Sequence, residues 1–133
     1  MTADLTARLA EAAGVPVLLA VAYDAFEHML RALREIENRA GILLPAIVLA
    51  AAAAGDGRDA VAQAPWLPSL PEPAEPPMSM HGAEQVADET AALSRALWEC
   101  LAGADAPVAY QAACTGSAEA ARRICSLLTR QPL

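Results

Sequence analysis

The chain has no lysine; all nine of its cations are arginine. Schiff-base catalysis and the Walker-type phosphate loop both need a lysine amine, so both are excluded. Bulky rings are nearly as scarce, with one Phe, two Trp and two Tyr in 133 residues. Isoleucine occurs four times and asparagine once. Strands are built from β-branched and aromatic residues, and no run of these resembles one. A basic excess is also missing. Sixteen acids outnumber the arginines and leave a net charge of −7. Such a chain offers no basic face to phosphates or to anionic lipid, so neither nucleic acid nor membrane is an expected partner.

Cysteine is sparse and unpatterned. Cys100, Cys114 and Cys125 are an odd number without CxxC spacing, and no secretory leader is recognisable ahead of them. Free Cys behaves as a small hydrophobe, so these thiols read as core residues in a reducing cytoplasm. Long apolar runs are lacking too. The longest, Ile42 to Ala54, contains Pro45 and falls short of the roughly 20 residues that span a bilayer.

What is present is alanine, at 34 of 133 positions. Alanine is the best helix former, and an interior of Ala and Leu favours closely approaching helices. The bias toward Ala, Arg, Gly and Pro fits GC-rich codons and a bacterial source. The length suits one domain, 1–133, with a single core.

Punctuation divides this chain into helices. Thr2 can cap a short first helix, Ala3 to Ala13, which Gly14 ends. A second is expected from Pro16 to Ala40, with Leu19, Ala22, Phe26, Met29, Leu30, Leu33 and Ile36 on one stripe. Its other face is charged, and Glu27–Arg31 and Glu35–Arg39 have the acid-first spacing worth about 0.2–0.5 kcal/mol each. Pro45 opens a third helix, expected to stop at Gly55-Asp56-Gly57 with a further short turn able to run from there through Ala64, and its lack of any polar face asks for cover on every side. Ser79 can cap a fourth, Met80 to Ala102, with Val86, Thr90, Leu93, Leu97 and Cys100 as its seam. Asp105 and Pro107 open the last, which keeps its stripe across Gly116 to about Thr129.

Six prolines between Pro65 and Pro77 forbid helix or central strand there. At ~3.1 Å per residue that stretch reaches about 40 Å, against about 38 Å for the second helix at ~1.5 Å per residue. A strap over 65–78 can therefore run the length of a bundle and leave the helices it joins parallel. Trp66, Leu67 and Leu70 are expected to pin it by burial. The fold class is all-α: about four main helices, a short N-terminal helix and one long proline-rich crossover.

Three constellations bear on function. Asp24 and His28 share one helix face, and His81 and Glu84 another, so two such faces could enclose a metal. Asp24 and His28 nevertheless belong to a charged, arginine-bearing face that water satisfies, and no metal or other cofactor is expected. Tyr23, Phe26, Met29, Trp66 and Trp98 are the few bulky residues among many alanines and could line an apolar ligand pocket. Leu44, Ile47 and Val48, on the apolar third helix, could form a contact with a second copy of the chain. Ser94, Ser117, Ser126 and the three cysteines have no histidine near them in sequence, and nothing argues for an enzyme. The reading is a non-enzymatic bundle acting through protein contacts, most simply a homodimer. A small-molecule-binding bundle is the alternative, and a carboxylate–histidine metal protein the third.

Overall fold

The computed structural model describes Leu9 and residues 14–40, 44–68, 83–102 and 107–129. They form four packed helices: α1 (Val15–Ala40), α2 (Pro45–Ala62), α3 (Ala83–Ala102) and α4 (Val108–Thr129). The short helix expected over Ala3–Ala13 lies outside the described residues, except Leu9, which is half-buried against the core.

Gly14, at φ +92°, supplies the left-handed residue from which α1 starts, and its carbonyl accepts the Leu18 N–H at 3.1 Å. The stripe read from the sequence is the buried face of α1: Leu19, Phe26 and Leu33 are wholly enclosed, and Met29 nearly so. Extended backbone at Leu44 and Pro45 in the first turn open α2.

That helix does not stop at Gly55-Asp56-Gly57, as its glycines suggested; it runs on to Ala62. A helix-interior glycine costs about 1 kcal/mol relative to alanine, which tertiary packing can outweigh. Here the packing is visible. Gly57 is buried, and a Cβ on it would lie 2.5 Å from Cε1 of Phe26. The glycine serves as the seat of a ring, not as a terminator.

On α3 the seam residues Val86, Thr90, Leu93 and Leu97 are fully buried, with Cys100 half-buried at its end. The α4 helix is continuous through Gly116 and Ser117. Ser117, also buried, donates its hydroxyl to the carbonyls of Ala113 (2.6 Å) and Cys114 (3.1 Å).

Pairwise contacts fix the helix directions. Phe26 meets Gly57, while Leu30 and Glu37, further along α1, share a groove with Gly55 and Val48, further back along α2. Hence α1 and α2 are antiparallel. Trp66 meets Tyr110, Ala60 meets Gly116, and Asp56 lies 3.9 Å from Arg123, so α2 and α4 are antiparallel as well. Cys100 lies near Cys114, and α3 runs against α4 in turn. Around the bundle the order is α1, α2, α4, α3, with α1 closing lightly onto α3 and α4. The two helices flanking the proline-rich stretch are therefore parallel. Pro68 lies at the end where α4 starts, and Ala83 opens α3 at the opposite end.

Of the proline-rich stretch expected to form a strap, only 65–68 is described. Leu67 packs against the core, but Trp66 is 62% exposed, contrary to the burial expected of it. Its carbonyl, not its ring, makes the contact, accepting the Tyr110 hydroxyl at 3.1 Å. Leu70 lies outside the described residues. Among the described residues, no helix is long and apolar enough to cross a membrane.

Candidate functional site

Two concavities flank the α1–α2 pair. The larger, about 520 Å³ and open to solvent, lies where α2 ends. From α1 it receives Ala20, Tyr23 and Asp24, which share a side of the helix because they are spaced by three and four. The other wall is made by the chain leaving α2. Helical hydrogen bonding ends with Gln63 and Ala64, whose N–H groups donate to Ala60 (3.2 Å) and Val61 (3.0 Å). Pro65 then keeps the preceding residue out of helix, and 64–68 form the wall that faces these α1 residues.

The pocket read from five bulky residues is thus divided. Tyr23 and Trp66 line this depression. Phe26 and Met29 are 0% and 1% exposed and are consumed by the core, so they line nothing. Trp98 stands on the outer side of α3, 38% exposed, away from the depression. An exposed carboxylate, Asp24, completes the wall; the sequence places it on the charged face of this helix.

The smaller groove, about 330 Å³, runs between α1 and α2 nearer their other ends. Leu30, Arg34 and Glu37 form one bank, and Val48, Ala51, Ala52, Gly55 and Arg58 form the other. Arg58 pairs with Glu27 at 3.5 Å across the helices and with Asp59 at 3.6 Å. Of the residues read as a contact surface, Ile47 is 1% exposed and belongs to the core, and Leu44 is half-buried against it. Val48 is outward-facing, beside Leu49 at 55% exposure.

The suggested metal ligands are not brought together. Asp24 and His28 sit in the half of α1 beside the end of α2, where α3 finishes, whereas Glu84 is in the first turn of α3 at the opposite end. His81 lies outside the described residues. Among the described residues, no group of three His, Cys, Asp or Glu side chains could hold a metal ion.

Two further polar groups lie inside the bundle. The thiol of Cys114 is pushed up from its ordinary value to about 11, chiefly by burial and then by the neighbouring Cys100. Glu89 is only 3% exposed and was overlooked in the sequence. The signal for it was available: Glu89 follows Val86 by three and precedes Leu93 by four, so it stands on the apolar seam. Comparison of the chain with known protein families, with curated proteins and with solved structures found no match.

Proposed function

We propose that the protein acts without catalysis, by associating with a second copy of itself across the outer side of α2. The observation that carries this reading is the exposure of Val48 and Leu49, at 36% and 55%, beside a groove floored by Ala51, Ala52 and Gly55. Exposed apolar side chains gain by being covered, at roughly 25 cal/mol per Å². Small residues beside them let a second helix come close. The groove's rim holds both signs of charge, Arg34 and Arg58 against Glu37, so a two-fold copy would set arginine opposite glutamate. The inward half of α2 is already covered by α1 and α4, which confines the contact to this outer strip.

The setting we propose is a bacterial cytoplasm, supported by the GC-rich composition and by a core thiol that suits reducing conditions. The strap over 65–78 belongs to the same proposal. Parallel α2 and α3 need a connection that runs the length of the bundle, and extended proline-rich chain suits that distance. Light scattering over a range of concentrations tests the association. A mass near twice 13.8 kDa, reduced by Val48→Glu in a chain that keeps its helical circular dichroism, is expected. A mass of 13.8 kDa at every concentration would refute it. A second reading, small-molecule binding, is favoured by the open depression at Tyr23 and Trp66.

A further inference from the structure

The charges on the α1 bank of the smaller groove complement one another under one particular two-fold relation. Arg34 and Glu37 line that bank three residues apart, and so on one side of the helix. Arg34 is exposed and Glu37 half-buried. Laid antiparallel on a copy of itself, this stretch of α1 sets each arginine opposite a glutamate, and two ion pairs form for one contact. A parallel copy in register sets arginine on arginine and glutamate on glutamate, and like charges so placed oppose association.

The packing of α1 on α2 then fixes where such an axis falls. Phe26 stands level with Gly57, and Glu27 with Arg58. Counted from there at equal rise along antiparallel helices, the midpoint between Arg34 and Glu37 is level with Val48 and Leu49. These are the large hydrophobic side chains of α2 that stand exposed. Charges on one helix therefore define an axis that exposed apolar side chains on the other straddle. Across it Val48 of one copy faces Leu49 of the other, and Ala52 faces Pro45, both also exposed. The far end of the same outer strip is acidic, with Asp56 and Asp59 exposed. At ~1.5 Å per residue, an axis at Val48 and Leu49 holds the two copies of Asp56 about 22 Å apart, well beyond a Debye length of about 8–10 Å. An axis at the middle of the groove, at Ala52, would bring them to about 12 Å.

We propose that the second copy seats antiparallel, on a two-fold axis at Val48 and Leu49, with Arg34 of each chain paired to Glu37 of the other. Resting on the self-association proposed above, this geometry adds the residues that select the partner. Val48 and Leu49 supply the apolar area to be covered, while Arg34 and Glu37 decide which surface is accepted and in which direction. Because the pattern complements its own reverse, each copy satisfies the other completely, and a closed dimer forms rather than an open chain of copies.

The test is charge reversal, read as the dimer dissociation constant from sedimentation equilibrium, with circular dichroism to show that the helices persist. Arg34→Glu and Glu37→Arg should each raise that constant by about tenfold or more, since two attractions become two repulsions. The double variant, Arg34→Glu with Glu37→Arg, should return to within about threefold of the unsubstituted chain, because the reversed pattern still complements itself in antiparallel order. An equimolar mixture of the two single variants should form a mixed dimer, resolved by native mass spectrometry, although each alone associates poorly. That result places the pairing between chains and not within one helix. Single reversals without effect, a double variant no tighter than the singles, or no preference for the mixed dimer would overturn this axis while association itself stands. An unsubstituted chain of 13.8 kDa at every concentration would remove both. Should a reversal unfold the chain, Arg34→Gln and Glu37→Gln, which remove one sign without adding the other, should each weaken association by about threefold, and no weakening by either would overturn the axis.

Discussion

Gly57→Ala is the substitution for which the structure makes the most exacting demand. A Cβ there would fall 2.5, 2.6 and 2.8 Å from Cε1, Cζ and Cδ1 of Phe26, whose ring has no exposed surface into which to move. Either the ring leaves its rotamer or α1 and α2 separate, and overpacking of this kind costs about 1–3 kcal/mol. Against that stands a gain of about 1 kcal/mol for replacing glycine by alanine inside a helix. The net expectation is a loss of about 1 kcal/mol. Gly55, two residues earlier in the same helix, provides the internal control, because a Cβ there would meet nothing within 4 Å. Gly55→Ala should therefore keep the helix-propensity gain entire. Since that gain is common to both, the difference between the two variants isolates the steric term, at about 1–3 kcal/mol. Thermal unfolding followed by circular dichroism is the assay, with both changes made in a Val48→Glu background so that association does not enter. At about 4 °C per kcal/mol for a domain of this size, Gly55→Ala should raise Tm by about 4 °C and Gly57→Ala lower it by about the same. Phe26→Leu should erase the penalty at Gly57, as a double-mutant cycle would show. Equal stabilisation by the two alanines would refute the packing argument.

Cys114 should resist an aromatic disulfide reagent at pH 8 in the native protein and react once the chain is denatured, because its thiol titrates only near pH 11 when folded. The folded value exceeds the unfolded one, so the folded state holds this proton longer: stability should be unaffected below about pH 9 and decline by about 2–3 kcal/mol as pH rises toward 11, with Cys114→Ala abolishing that decline in alkaline denaturation curves. Ser117→Ala should change unfolding free energy by less than about 1 kcal/mol in urea titrations, because the lost hydrogen bonds are offset by better helix propensity.

Periodicity made most of the architecture legible. The α1 stripe from Leu19 to Leu33 and the α3 seam from Val86 to Leu97 are buried as their spacings of three and four required. The length of the proline-rich stretch permitted parallel neighbours without requiring them, and α2 and α3 are parallel. What escaped was whatever depended on a partner distant in sequence. Gly57 carries the local mark of a helix end, and only Phe26, 31 residues away, makes it a packing site. Trp66 was expected to be buried by its ring, whereas its carbonyl accepts a bond from Tyr110, 44 residues on, and the ring stays outside. Shared helix faces let Asp24 and Glu84 be weighed as parts of one metal set, but face periodicity carries no axial coordinate and the two lie toward opposite ends. Glu89 obeys the seam spacing, but a search for apolar periodicity passes over a charged residue. Tyr23 and Trp66 were both singled out. Their union with Asp24 required the turn of the chain after Ala62.

The buried sides of α2 and α4 are rich in small residues, Ala50, Ala53, Ala54 and Gly57 on the one and Ala113, Ser117, Ala118, Ala120 and Ala121 on the other, and Ala60 meets Gly116 between the two helices. Such a surface is smooth. Methyl groups and glycines set how near two helices come but interlock little, so sliding by a helical turn would sacrifice few of their contacts. The axial position of α2 must then be held from outside that seam. Phe26, seated over Gly57, acts as a detent from the α1 side, and the Tyr110–Trp66 bond acts as a stop at the end. The chain's few large side chains therefore serve less as bulk filling than as indexing pins, which is why so alanine-rich an interior can adopt a single register.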